Sequence, residues 1–242
     1  MFSRRPGPRF NRGRIATIGG AAAEETPATI MGANCIDWWR ADLGVEIDTG
    51  CKNWVGQRNG LIFNNNTGVS QPTPASTGPN STASLIFDGS NDFLDGPALA
   101  RASNQCIWAV LRQLSWTSAD SLINDANATL IILQRTASPN LAMSRGTPQN
   151  NNAGAAVGTF RRVQADFVGT VSDRLLVGST NSTGGNSGST AGTQPLLGRN
   201  AAGTTWGHYE LCDLAFFDAI PSAGQLTDLN TYVTSRYGAG LV

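Results

Sequence analysis

Two carboxylates three residues apart, Glu210 and Asp213, are the nearest this sequence comes to a hydrolytic pair. A glycosidase needs two carboxyls flanking a sugar, about 5–9.5 Å apart. Side chains alternate along a strand, so an odd separation sends Glu210 and Asp213 to opposite faces and predicts no cooperation. The other glutamates, Glu24, Glu25 and Glu46, form no alternating run of acids. His208 has no serine or cysteine in a nucleophile motif and reads as a turn residue. Cys35, Cys51, Cys106 and Cys212 lack Cys-x-x-Cys spacing, and His208 is the only histidine. They read as small buried hydrophobes, with a Cys35–Cys51 disulfide as the alternative.

A second group suits binding better than reaction. Asp88, Asn91 and Asp92 flank Gly89-Ser90 and offer oxygen ligands suited to Ca²⁺. The competing reading is an Asx turn, in which the acids accept hydrogen bonds from the loop's own amides. Trp206 stands among Gly203-Thr204-Thr205 and Gly207, the most loop-like setting of any tryptophan. With Asp88, Asn91 and Asp92 it makes the candidate loop for a glycan or a Ca²⁺ ion. Trp38, Trp39, Trp54 and Trp116 also offer flat faces, but tryptophan in a β-sandwich is more often core. No other cofactor is expected.

A third group is electrostatic. The first twenty residues hold Arg4, Arg5, Arg9, Arg12 and Arg14 and no acid, which leaves the remainder acidic in a chain of zero formal charge. Lys52 is the only lysine, so the cations are almost all arginine, the residue suited to bidentate contacts with carboxylates and phosphates. Pro6, Pro8, Pro27 and several glycines deny this stretch a fold of its own. Residues 1–33 are therefore expected to be an extended anchoring arm held by a neighbouring subunit. Nucleic acid is the less favoured partner, since only Phe2 and Phe10 offer stacking rings. The arm lacks the apolar centre of a signal peptide, and no run approaches the roughly 20 apolar residues of a membrane span. Reduced cysteines are expected accordingly.

The elements that position these groups are mostly strands. Forty per cent apolar residues with 14% charged and abundant glycine fit many short strands joined by turns. Gln105–Gln113 sets Cys106, Trp108 and Val110 on one face and Ile107, Ala109 and Leu111 on the other, as in a central strand covered on both sides. Ala83–Asp88 and Asp92–Gly96 read as the arms of a hairpin turning at Gly89-Ser90-Asn91. Ala128–Arg135, Asn140–Arg145, Arg161–Val168, Arg174–Thr180 and Tyr209–Asp218 are further strands. Asn181–Thr193 reads as a polar loop. After Pro221 the period changes to about 3.6. Ser222 and Gln225 make a capping box, Leu226, Leu229, Val233 and Tyr237 form a stripe beside Tyr232, and Gly238 ends the helix. Residues 34–242 form one domain.

Several short motifs follow in order from Cys35 to Gly238. They are Asp37-Trp38-Trp39-Arg40-Ala41-Asp42, Trp54 ahead of Asn59-Gly60, Gln71-Pro72, Phe87-Asp88-Gly89-Ser90 running into Asn91-Asp92, and a closing strand and helix ending in Arg236-Tyr237-Gly238. In this order they resemble the concanavalin A-like (laminin-G-like) lectin/glucanase domains, especially those of bacteriophage structural proteins. In that family an acid often follows the tryptophan of the turn. Gln57 and Arg58 stand there instead, which counts against a divalent metal in that loop. The resemblance implies an all-β jelly-roll sandwich of two antiparallel sheets with one C-terminal helix. The sandwich itself hosts glycosidases, lectins and inert modules, so it does not choose a function.

The expectation is a non-enzymatic structural protein of the virion, assembled in the host cytoplasm. It would be a capsid (head) decoration or surface module, anchored by its arm to the major capsid protein or to neighbouring subunits. A homo-oligomer is expected, a trimer by preference. The alternative is a module of a tail or fibre that binds host-surface glycans or a receptor, and a polysaccharide depolymerase comes third.

Overall fold

The computed structural model describes residues 24–99, 104–128, 130–135, 137–145, 147–168, 173–185 and 192–242. Arg4, Arg5, Arg9, Arg12 and Arg14 lie outside the described residues. In chain order the elements are α1 (Pro27–Met31), β1 (Cys35–Arg40), β2 (Val45–Ile47), β3 (Cys51–Val55), β4 (Ile62–Asn64), β5 (Thr73–Ala75), β6 (Ser84–Asp88), β7 (Leu94–Asp95) and β8 (Gln105–Gln113). They continue with β9 (Ser121–Asp125), β10 (Ile131–Gln134), β11 (Leu141–Arg145), β12 (Thr147–Asn152), β13 (Arg161–Phe167), β14 (Asp173–Val177), β15 (Thr180–Gly184), β16 (Pro195–Leu197), β17 (His208–Phe217) and α2 (Ala223–Tyr237).

The strands form two antiparallel sheets. One runs β15-β14-β13-β8-β17-β6-β5, with β1 also paired to β17; the other runs β12-β11-β10-β9-β16-β7-β4-β3-β2. β17 is long enough to serve two neighbours on one edge. Its first half, from His208 to Leu211, pairs with β6, and its second half, from Asp213 to Phe217, pairs with β1.

Two apolar layers follow. Between the sheets pack Trp39, Trp54, Phe63, Phe87, Tyr209 and Phe216 with the inward aliphatics. Phe87 lies flat on Tyr209, with ring centres 4.6 Å apart, and the Tyr209 hydroxyl donates to the Leu122 carbonyl of the opposite sheet at 2.7 Å. On the outer face of the first sheet, Trp38, Cys106, Trp108 and Val110 meet Leu229, Tyr232, Val233 and Tyr237 of α2. β8 is therefore covered on both sides, with the face assignment its alternation predicts: Ile107, Ala109 and Leu111 point between the sheets.

Helix α2 begins at the expected cap. Ser222 Oγ accepts the Gln225 amide at 3.3 Å, and Gln225 Oε1 accepts the Ser222 amide at 3.0 Å. Gly238 closes the helix at φ 93°. Of the predicted stripe, Leu229, Val233 and Tyr237 are buried together with Tyr232, whereas Leu226 is half-buried.

Four expectations are corrected. The strands beside Gly89-Ser90-Asn91 are no hairpin, because β6 belongs to the first sheet and β7 to the second. The turn is an arch carrying the chain between layers. The predicted loop Asn181–Thr193 begins as strand, since β15 pairs along β14. It is an edge strand with one partner and mostly exposed or half-buried side chains, so polar residues are tolerated there. Pro27–Met31, expected within an extended arm, makes a helical turn. Thr26 and Thr29 form a reciprocal capping box, Pro27 occupies the first turn, and Met31 is 2% exposed in the outer core. Finally, the alternation of β17 breaks at a bulge between Leu211 and Asp213. Tyr209 and Leu211 point between the sheets, but so do Leu214 and Phe216.

Candidate functional site

The bulge changes the reading of the acids. Glu210 precedes it and faces outward with Arg112 and Ser84; Asp213 follows it and faces outward to α2. The two carboxylates thus share a face, against the expectation from strict alternation. Neither is free to act on a sugar. Glu210 is fully buried, salt-bridged to Arg112 at 2.6 Å and hydrogen-bonded by Thr77 and Ser84. Asp213 is fully buried and accepts from the Trp38 indole at 2.6 Å, the Tyr232 hydroxyl at 2.6 Å and the Tyr237 hydroxyl at 2.8 Å. Burial pushes the Asp213 carboxyl up to about 7, against the pull of those three donors.

All four cysteines are free and buried. Burial pushes the Cys35 and Cys51 thiols up to about 12, far from the thiolate that redox or nucleophilic chemistry needs. His208 is the first residue of β17 and not a turn residue. Its Nδ1 lies 3.0 Å from Ser115 Oγ, a contact between residues 93 apart in sequence. Among the described residues no carboxylate is hydrogen-bonded to the ring, the position from which a third group orients a catalytic histidine.

The arch itself is an Asx turn. Asp88 Oδ1 accepts the amides of Ser90, Asn91 and Asp92 at 2.8, 3.0 and 3.1 Å, and Asp92 Oδ2 accepts the Asp88 amide at 3.0 Å. Against the cost of burial, the Asn91, Ser90 and Asp92 amides hold Asp88 below the usual carboxylate range. Burial, and then the charge of Asp88, push Asp92 up to about 6. Three N–H groups aim their positive ends at Asp88 Oδ1 and one at Asp92 Oδ2, the pattern of an Asx turn that satisfies its own acids. Among the described residues, no group of three or more histidine, cysteine or acidic side chains is arranged to hold a metal ion. In the loop where Gln57 and Arg58 replace an acid, Asp37 accepts the Arg58 and Leu61 amides, each at 2.8 Å.

Trp206 comes to the same end of the sandwich. Arg199 and Trp206 close a hairpin through a lone antiparallel bridge, and Gly198 at its base packs against Asp92 and Phe87. Trp206 is half-buried beside Phe93, ring centres 6.2 Å apart. The Arg199 guanidinium lies 4.4 Å over the Phe93 ring and grips Asp95 at 2.7 and 2.9 Å. Asp88, Asn91, Asp92 and Trp206 are thus gathered on adjoining segments, and the structure adds Phe93, Asp95 and Arg199. Trp38, Trp39 and Trp54 are core residues; Trp116 is half-buried and donates to the Asn140 carbonyl at 3.3 Å.

This arrangement presents an aromatic pair, Phe93 and Trp206, beside the Arg199–Asp95 ion pair. No family model matches the chain, and no curated protein sequence does. Solved structures match at the level of architecture. Domain 4 of AbnA, a GH43 extracellular arabinanase from Geobacillus stearothermophilus, in complex with arabinotriose, has a TM-score of 0.59 at 10% identity, over 81% of this chain and 98% of that one. The fold is a β-sandwich of two antiparallel sheets. Trypanosoma rangeli sialidase in complex with sialic acid has a TM-score of 0.62 at 9% identity, over 90% of this chain but 35% of the sialidase. An arabinofuranosidase complexed with arabinofuranosyl-alpha-1,2-xylobiose has a TM-score of 0.58 at 10% identity, over 88% of this chain and 65% of that one. The likeness to these sugar-handling proteins is one of fold.

Proposed function

We propose that the chain is a non-enzymatic structural protein of a bacteriophage virion, a capsid (head) decoration or surface module anchored by its basic N-terminal arm. The observation that carries the non-catalytic part is the commitment of Glu210 and Asp213 to buried structural contacts. The ordered resemblance from Cys35 to Gly238 supports the phage setting. The contrast between an arginine arm and an acidic remainder supports anchoring on other virion proteins, in a homo-oligomeric arrangement such as a trimer. Removing residues 2–20 tests this. The shortened chain keeps its unfolding midpoint and loses association with the particle; retention on the particle would overturn the anchoring role.

A second reading, a glycan- or receptor-binding module of a tail or fibre, rests on the surface around Trp206. The matched domain of the arabinanase was solved with a bound trisaccharide, which supports sugar binding on this architecture. A shortened chain that still bound glycans would favour this reading.

A further inference from the structure

Three steps in the sequence place glycine directly after an asparagine or aspartate: Asn59–Gly60, Asp88–Gly89 and Asp95–Gly96. Such steps can rearrange without an enzyme, because glycine has no Cβ to keep its amide nitrogen from the preceding side-chain carbonyl carbon. The fold treats the three differently. Asp88 Oδ1 accepts the Ser90, Asn91 and Asp92 amides, which fixes that carboxyl within its turn. Asp95 is gripped by Arg199, and the Gly96 amide donates to the Pro195 carbonyl at 2.8 Å, so the attacking nitrogen is occupied. Both steps are closed.

Asn59–Gly60 is open. Both residues are exposed, on the turn between β3 and β4. The Arg58 and Leu61 amides on either side donate to Asp37, each at 2.8 Å. Between them the Gly60 amide makes no hydrogen bond among the described residues. Beyond its chain neighbours, nothing lies within 4 Å of where a Gly60 Cβ would stand, so water reaches the step freely. One hydrogen bond holds the Asn59 side chain, from Nδ2 to the Ile36 carbonyl at 2.5 Å.

We propose that Asn59 is a site of spontaneous deamidation, through which the β3–β4 turn gains a negative charge as the protein ages. The Gly60 nitrogen attacks Asn59 Cγ, the Cγ–Nδ2 bond breaks, and Nδ2 leaves as ammonia with the proton of the Gly60 amide. Water then opens the cyclic imide at either of its carbonyls, giving aspartate or isoaspartate. The donor to Ile36 departs with Nδ2. In the aspartate product a carboxylate faces the Ile36 carbonyl, two acceptors with no donor between them, which loosens the turn.

The test is incubation of the full chain at neutral and at alkaline pH, followed by peptide mapping with mass spectrometry and enzymatic methylation of isoaspartate. Conversion is expected at Asn59 ahead of every other described asparagine, including the exposed Asn80 before Ser81, and faster at alkaline pH. Gly60→Ala slows it by about tenfold or more, and Asn59→Gln abolishes it. Asn59→Asp supplies one product directly and should unfold at a lower urea concentration than the parent chain. Thermal unfolding of each variant shows that it is folded. Asn59 intact after other asparagines have converted would overturn the site. Conversion at an unchanged rate in Gly60→Ala would overturn attack by the Gly60 nitrogen. An Asn59→Asp chain as stable as the parent would overturn the loosening of the turn.

Discussion

The Tyr232 hydroxyl donates to Asp213 Oδ2 at 2.6 Å, joining the C-terminal helix to the middle of the first sheet. Tyr237, one turn later, donates to the same oxygen at 2.8 Å, and Trp38 of β1 donates to the other at 2.6 Å. Three segments far apart in sequence therefore share one buried carboxyl. Around it, Arg236 and Arg40 flank Asp42 at 2.6 and 2.7 Å and extend the same clasp to the surface.

Replacing Asp213 by alanine leaves three buried donors without an acceptor. Each such group costs about 1–3 kcal/mol, and partial relaxation brings the expected total to roughly 3–5 kcal/mol. Tyr232→Phe removes one donor and costs about 1–2 kcal/mol. Urea unfolding of both variants measures the difference. An Asp213→Ala loss under 1 kcal/mol would mean that the clasp is not holding the helix.

The pH dependence follows from two raised carboxyls. Asp213 titrates at about 7 and Asp92 at about 6 in the folded protein, both above their unfolded range near 4. A raised value means that the folded state holds the proton more tightly. Their stabilisation is complete below about pH 4 and fades as pH rises through 6 and 7. Asp88 and Asp42 are held low and act in the opposite sense, only in more acid solution. The urea midpoint is thus expected to fall between about pH 5 and pH 8, and Asp213→Asn should flatten most of that slope. A midpoint that instead rises over this interval would contradict the assignment.

At the arch, Gly89 sits at φ 72°, and a Cβ there would come within 2.6 Å of His208 Cβ. Gly89→Ala combines backbone strain with that clash and should cost about 2–3 kcal/mol by urea unfolding. Asp88→Asn keeps an acceptor for the loop amides and should cost about 1 kcal/mol or less. A Gly89→Ala loss no larger than that of Asp88→Asn would argue against the arch geometry.

Glu210 supplies the comparison with an active-site acid. It is fully buried while Arg112 is 25% exposed, so Glu210→Ala strands a guanidinium that water reaches in part. A loss of about 2–3 kcal/mol is expected, smaller than for a fully buried pair. A variant that gained stability would mark Glu210 as a strained functional residue instead of a structural one.

What the sequence disclosed and what it hid have separate physical reasons. β8 was legible because both of its faces are apolar, and α2 because its cap, stripe and terminal glycine agree with one another. The core roles of Trp38, Trp39 and Trp54 agree with the general tendency of tryptophan to be buried in a sandwich. The arch was misread because Asp88-Gly89-Ser90-Asn91 specifies a local turn and says nothing about which sheet receives the next strand. The bulge in β17 was invisible because Cys212, a small apolar residue, fits the alternation on either side. β15 escaped because an edge strand needs no apolar face. Phe93 meets Trp206, and Asp95 meets Arg199, only through contacts between distant segments, and no spacing announces them. Ser115 and His208 come together for the same reason.

Electron cryo-microscopy of the assembled particle tests the central proposal most directly. Density the size of the sandwich should sit on the outer surface of the head, with residues preceding Glu24 running into a seam between shell subunits. Sandwich density at a tail tip or fibre, or none on the particle at all, would show the head-anchored assignment to be wrong.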